Sequence, residues 1–264
     1  MAIAAPAPRG PTSDHRFFFV TALVIAMIFV IGFTTQLAAG RSSFAAPPIV
    51  HLHAVVFFGW VAIFVLQGAL AVRGSRGSIG LHRRLGWLGL GWSMAMVGVG
   101  IALMLHVVRG GTTPFFFQPQ YFLVANLLSL FGFAALTWAA VAMRRRTDWH
   151  RRLHLAGITL ILGPAFGRLL PMPIMIPWSF QIAVVCSMVV LVVVASLDAR
   201  RLGRWHPAWT CGLAVSVGLL VAAQIITFSP VGSAIYAVAT KGSAGALVAP
   251  LDFAPPPRMQ TTGR

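Results

Sequence analysis

Six of the eight histidines in this chain fall into two groups whose spacing suits a metal-centred cofactor. The first group is His82, His150 and His154. His150 and His154 stand four residues apart and so share one face of a helix. His82 opens the word His82-Arg83-Arg84-Leu85, much as His150 opens His150-Arg151-Arg152-Leu153. Imidazoles on two helices at one depth are what axial ligation of a haem iron needs, because the iron takes one ligand above the ring and one below. These residues nominate His82 and His154 as iron ligands of a haem b, with His150 as the alternate to His154. The competing expectation is that the same side chains sit inert at a membrane boundary.

In the second group, His51 and His53 open one apolar run and His106 closes the next. Residues two apart project to nearly opposite sides of a helix, so only one of His51 and His53 can face the interior. Antiparallel neighbours would bring His106 to the same depth, and a second haem at His51 or His53 with His106 is the corresponding expectation. Arg168 follows Gly163-Pro164 and Gly167 near the outer end of another run. An arginine beside a broken helix satisfies freed carbonyls or clamps an anionic group, such as a haem propionate or a substrate carboxylate.

The elements that must position these residues are membrane helices. Of the 264 residues, 58% are hydrophobic and 9% are charged, whereas ordinary soluble domains carry about a quarter charged residues. A hydrocarbon core of about 30 Å needs roughly 20 apolar residues as helix. Such runs occur at about 17–39, 49–72, 85–108, 120–143, 153–170, 178–197 and 208–228. The fold class expected is an all-α polytopic membrane helix bundle of about seven transmembrane helices. Pro47, Pro48, Pro119 and Pro207 stand at or just before helix starts, where a missing N–H costs nothing. The first run is too long for a secretory h-region of about 7 to 15 residues and reads as a retained anchor; its cleavage would leave six spans.

The net charge of +16 comes from 20 basic and 4 acidic residues, and it is topological. Fourteen arginines occupy one set of loops: Arg9, Arg16, Arg73, Arg76, Arg83, Arg84, Arg144, Arg145, Arg146, Arg151, Arg152, Arg200, Arg201 and Arg204. The other set holds Arg41, Arg109, Arg168, Lys241, Arg258 and Arg264. The positive-inside rule makes the first set, and the N-terminus, cytoplasmic. Clusters that cap spans do not form the contiguous basic face that nucleic acid requires, so the expected partner is the lipid bilayer. Trp149, Trp205 and Trp209 suit an inner aromatic belt, and Tyr121 and Trp178 an outer one.

The organisation expected is a cytoplasmic tail over 1–16, a helical bundle over 17–228 and a mobile extracytoplasmic tail, rich in Gly, Ala and Pro, over 229–264. There is no glutamate, and Asp14, Asp148, Asp198 and Asp252 all fall at or beyond predicted span ends. No carboxylate is expected within a span, which counts against membrane-embedded acid relays. Cys186 and Cys211 lie on different runs, too far apart to bridge. P-loop, H-E-x-x-H and Cys-rich metal motifs are absent.

At His51 to Gln67 (HLHAVVFFGWVAIFVLQ), His82 to Gly86 (HRRLG) and His150 to Arg168 (HRRLHLAGITLILGPAFGR), the chain resembles a group of bacterial multi-spanning membrane proteins with no assigned activity. That likeness covers most of residues 17–200 and implies a multi-pass protein of the bacterial cytoplasmic membrane. A second resemblance is to two-haem transmembrane cytochromes b, which carry a histidine pair near each membrane face. It implies His82 and His154 as the inner pair. For the outer pair the sequence departs from that pattern, because the fourth run opens with Gln118, Gln120 and Tyr121 and has no histidine. Besides a haem redox protein, two readings stay open: a small-molecule carrier or permease using Arg168, and a non-enzymatic membrane assembly subunit.

Overall fold

A computed structural model describes residues 11–40 and 44–256. Arg9, Arg41, Arg258 and Arg264, counted above for orientation, and Pro257 lie outside the described residues. All described regular structure is helical. Six helices are long and apolar enough to cross a membrane: α1 (Pro11–Ala38), α2 (Pro48–Arg73), α3 (Arg76–Arg109), α4 (Pro119–Ala142), α7 (Ser179–Leu202) and α8 (Pro207–Thr227). Pro48, Pro119 and Pro207 are the first residues of their helices, where proline's missing N–H leaves no hydrogen bond unmade.

The remaining expected span is two short helices, α5 (Thr147–Leu160) and α6 (Gly163–Leu169). Pro164 cannot donate a helical hydrogen bond and its ring crowds the carbonyl four residues back, so the helix stops and restarts with Pro164 in a first turn. Together α5 and α6 still traverse the bundle. At one end the Arg151 guanidinium meets Asp14 of α1 at 2.8 Å; at the other, Gln36 of α1 donates its side-chain amide to the Arg168 carbonyl at 2.6 Å. Asp14 and Gln36 are separated by about 33 Å of helix at 1.5 Å per residue, the thickness of a hydrocarbon core. With the six longer helices, the broken α5–α6 rod runs the length of the bundle.

Helices α1 to α5 close a ring through neighbouring contacts, with α6 continuing α5 along α1. Helix α4 is the most enclosed, packed between α3, α5 and α8. Small residues let backbones approach, as is usual where apolar side chains gain nothing by leaving lipid. A Cβ on Gly32 of α1 would lie 2.8 Å from the Ala165 carbonyl oxygen of α6, and one on Gly212 of α8 would strike the Ala156 side chain of α5. The outward faces of α1 and α7 expose Val20, Val24, Met27, Val189 and Val193, as lipid-facing helices should.

Three sequence expectations change. The stretch from Ser229, expected as a mobile tail, carries helix α9 (Pro230–Thr240) and a 3₁₀ turn (Ala244–Leu247) seated on α3, α4 and α8. Tyr236 is buried with Val108 and Leu123, the Arg109 guanidinium donates to the Ala239 carbonyl, and the Gln120 backbone N–H donates to Pro250. These contacts satisfy loop polar groups that hydropathy does not register. Second, Asp198 lies inside α7 and is 1% exposed, contrary to the expectation that spans hold no carboxylate; an arginine partner makes its burial affordable. Third, Trp209 is wholly buried and donates to that same carboxylate, so it is not part of an aromatic belt. Gly203, at φ 72°, closes α7 in the left-handed conformation, shortly before α8 opens at Pro207.

Candidate functional site

The segment His150-Arg151-Arg152-Leu153-His154 begins α5, and each residue points where helical geometry sends it. Arg151 reaches Asp14 of α1, which Arg201 of α7 also approaches at 3.3 Å. Arg152, about 100° further round the helix, donates Nε to Asp198 of α7 at 2.7 Å and Nη1 to the Asp148 carbonyl at 2.7 Å. The Trp209 indole N–H completes the Asp198 carboxylate at 2.8 Å. These bonds fix the rotation of α5 about its own axis. They leave the His150 and His154 face turned toward the space inside the ring of α1 to α5.

That space is a cavity of about 760 Å³ at the arginine-rich end of the bundle. Its walls are apolar, with Phe18 from α1, Trp60 and Phe64 from α2, Trp87 and Leu90 from α3 and Val141 from α4. Four histidines line it: His15, His82, His150 and His154. Arg83, Arg144, Arg145 and Arg151 line the same cavity. Three of these helices contribute imidazoles, so no single stretch of sequence contains the site.

The His82 and His150 rings lie 6.4 Å apart, centre to centre, with planes at 75°. His154 packs edge-on against His150 at 4.7 Å. His82 Nδ1 lies 3.2 Å from the Gln67 carbonyl of α2, and His150 Nδ1 lies 2.8 Å from the Ala140 carbonyl of α4. A carbonyl only accepts, so both Nδ1 atoms donate, which in neutral imidazole leaves the lone pair on Nε2. Ala140 supplies one of the last four carbonyls of α4, which have no partner inside the helix. The sequence nominated His154 ahead of His150; the ring contact with His82 is made by His150.

The expected outer group is less assembled. His51 and His106 are exposed, and the His51 Nε2 lies 3.2 Å from the Phe44 carbonyl. His53 faces inward and stacks on Phe57 of its own helix at 3.9 Å, not on His106. Arg168 lies over the Phe33 ring at 4.0 Å and donates to the Pro164 carbonyl. Among the described residues no three His, Cys, Asp or Glu side chains converge as a metal site, so any metal in the cavity would rest on imidazole pairs.

Reading the sequence missed His15, which stands one residue after Asp14 at the very start of α1, and the acid–base pair of Asp148 and His206. His206 Nδ1 accepts from the Ala208 N–H as the cap of α8, so its Nε2 carries the proton donated to Asp148 at 3.0 Å. Burial alone would raise the Asp148 carboxyl; the His206 and backbone hydrogen bonds outweigh it and hold the group below its ordinary 3.8. The signal for this pair was the placement of Asp148 in the first turn of α5 and of His206 at the cap of α8, two helices that pack together.

No family model matches this chain, and no curated protein or solved structure matches it. The functional reading therefore rests on the chain's own chemistry.

Proposed function

We propose that this integral membrane protein is a b-type cytochrome that binds one haem in the cavity at its arginine-rich end, where His82 and His150 are the residues that would hold its iron. The observation that carries this reading is the pair of imidazoles 6.4 Å apart, each with Nδ1 held by a backbone carbonyl. An iron bound at about 2 Å by two imidazole nitrogens sets the ring centres roughly 6 Å apart. Ligand histidines generally donate their second nitrogen to a carbonyl or carboxylate, which fixes ring orientation and raises basicity.

The other walls suit the same group. A porphyrin is flat and apolar with two carboxylates at one edge. Trp60, Phe64, Trp87 and Leu90 would cover its faces, and Arg83, Arg144 and Arg145 would meet propionates. When bound, haem supplies a one-electron couple. His154, packed on His150, limits how that ring can turn. The protein's part is to hold the ligands, exclude water and place the redox centre near one face, which the positive-inside rule makes cytoplasmic.

A reduced-minus-oxidised absorption spectrum of the detergent-purified protein, with haem extracted and quantified, is the test. A sharp α-band with one haem per chain is expected. A colourless protein after expression with ample haem supply would sink the reading and favour the carrier and assembly alternatives.

A further inference from the structure

We infer that the break between α5 and α6 binds one ordered water molecule, held in a gap between α4, α5, α7 and α8 by the Ser129 hydroxyl and the Leu160 carbonyl. The inference is independent of the cytochrome reading, because this gap shares no lining residue with the histidine cavity. It starts from Pro164. In a continuous helix the Leu160 carbonyl would accept from the N–H four residues on, and a proline there has none. The neighbouring N–H groups go elsewhere: Ile161 donates to Ile158 and Leu162 to Thr159, while Ala165 and Phe166 both turn to Leu162. A carbonyl freed inside a membrane helix needs another donor, and Ser or Thr side chains and ordered waters are the usual ones.

Leu160 is part of the wall of a gap of about 20 Å³, the room that one water needs. Two close contacts fix the helices around it. A Cβ on Gly212 of α8 would strike the Ala156 side chain of α5 and lie 3.9 Å from the Leu191 side chain of α7. A Cβ on Gly132 of α4 would strike Leu219 of α8 and lie 3.0 Å from the Leu160 side chain. About one helical turn outward of these contacts stand Ser216, Leu160, Ser187 and Ser129, one on each helix, and all four line the gap. Their hydroxyls divide into two kinds. Ser187 and Ser216 are buried and donate to the Ala183 and Gly212 carbonyls of their own helices, so each offers the gap only acceptor lone pairs. Ser129 makes no hydrogen bond among the described residues, and its oxygen is not sealed off from the gap. A water there accepts from Ser129, donates one hydrogen to the Leu160 carbonyl and the other to Ser187 or Ser216, the three bonds typical of a buried water. A bare cation would meet the same oxygens, but no carboxylate lines the gap to offset the loss of its hydration.

The test is a crystal structure of the full-length protein, grown from a lipidic mesophase to a resolution that shows waters. One peak within about 2.7–3.2 Å of both Ser129 Oγ and the Leu160 carbonyl oxygen is expected, and Ser129→Ala should lose it. Thermal melts in detergent give a second readout that needs no crystals. Ser129→Ala should lower the melting temperature by about 2–4 °C, as loss of one hydrogen bond implies. In a background carrying Ser187→Ala and Ser216→Ala the same change should cost clearly less, because the three serines act through one bridging molecule. No peak at the gap overturns the site, and so do serine losses that simply add. A melting temperature that rises when sodium chloride replaces choline chloride, and stops rising in Ser129→Ala, overturns the water in favour of a cation.

Discussion

Arg152 of α5 and Asp198 of α7 form an ion pair at 2.7 Å with both side chains 1% exposed, although 46 residues separate them. The pair, with Trp209 as third member, ties three helices at the level of the histidine cavity. Breaking a buried pair strands a charge, at a cost of about 3–5 kcal/mol, whereas replacing both partners by apolar side chains is often neutral or stabilising.

Asp198→Ala alone should accordingly lower thermal stability in detergent sharply. The double variant Arg152→Met with Asp198→Leu should recover much of the loss. If the single and double variants melt together, at the wild-type temperature, the pair contributes nothing.

The same double variant should not restore the cavity fully, because Arg152 also sets the rotation of α5. If haem is bound, its α-band should shift or broaden in a protein that remains well folded, since the His150 ring is no longer held at one angle. An unchanged spectrum would assign Arg152 to stability alone.

His82→Ala and His150→Ala should each remove the haem band, and His154→Ala should retain haem with an altered spectrum. Retention of full haem content in both His82→Ala and His150→Ala would contradict the assigned ligation. Loss in His82→Ala and His154→Ala, but not in His150→Ala, would restore the pairing that sequence order alone nominated.

Topology has its own check. In a background carrying Cys186→Ser and Cys211→Ser, a cysteine at Lys241 should react in intact cells with a membrane-impermeant maleimide, and one at Arg84 should react only after lysis. Seven crossings with an inward N-terminus require that contrast; the reverse pattern would invert the orientation.

Gly32→Leu should destabilise by about 1–3 kcal/mol or more, because the added side chain would meet the Ala165 backbone where nothing can yield. Gly218→Leu, with open space at its Cβ, should be tolerated. Thermal melts of the two variants compare a built-in helix contact with a lipid-facing position.

The sequence by itself determined that the chain is helical, that it is a polytopic bundle with helices long and apolar enough to cross a membrane, where Pro48, Pro119 and Pro207 start helices, and that His150 and His154 share a face. Those are local properties: hydropathy over one membrane thickness, proline's missing donor and a period of 3.6 residues. Only the tertiary structure decided that His82 meets His150, that His15 enters the same cavity from α1, that Asp198 is buried under Arg152, and that the stretch after Ser229 folds back as α9. Each of these depends on which helices are neighbours and on how far each is turned about its axis. In lipid an apolar face matches either a neighbouring helix or an acyl chain, so hydropathy leaves that rotation open. Here it is set by a few polar pairs drawn from opposite ends of the chain.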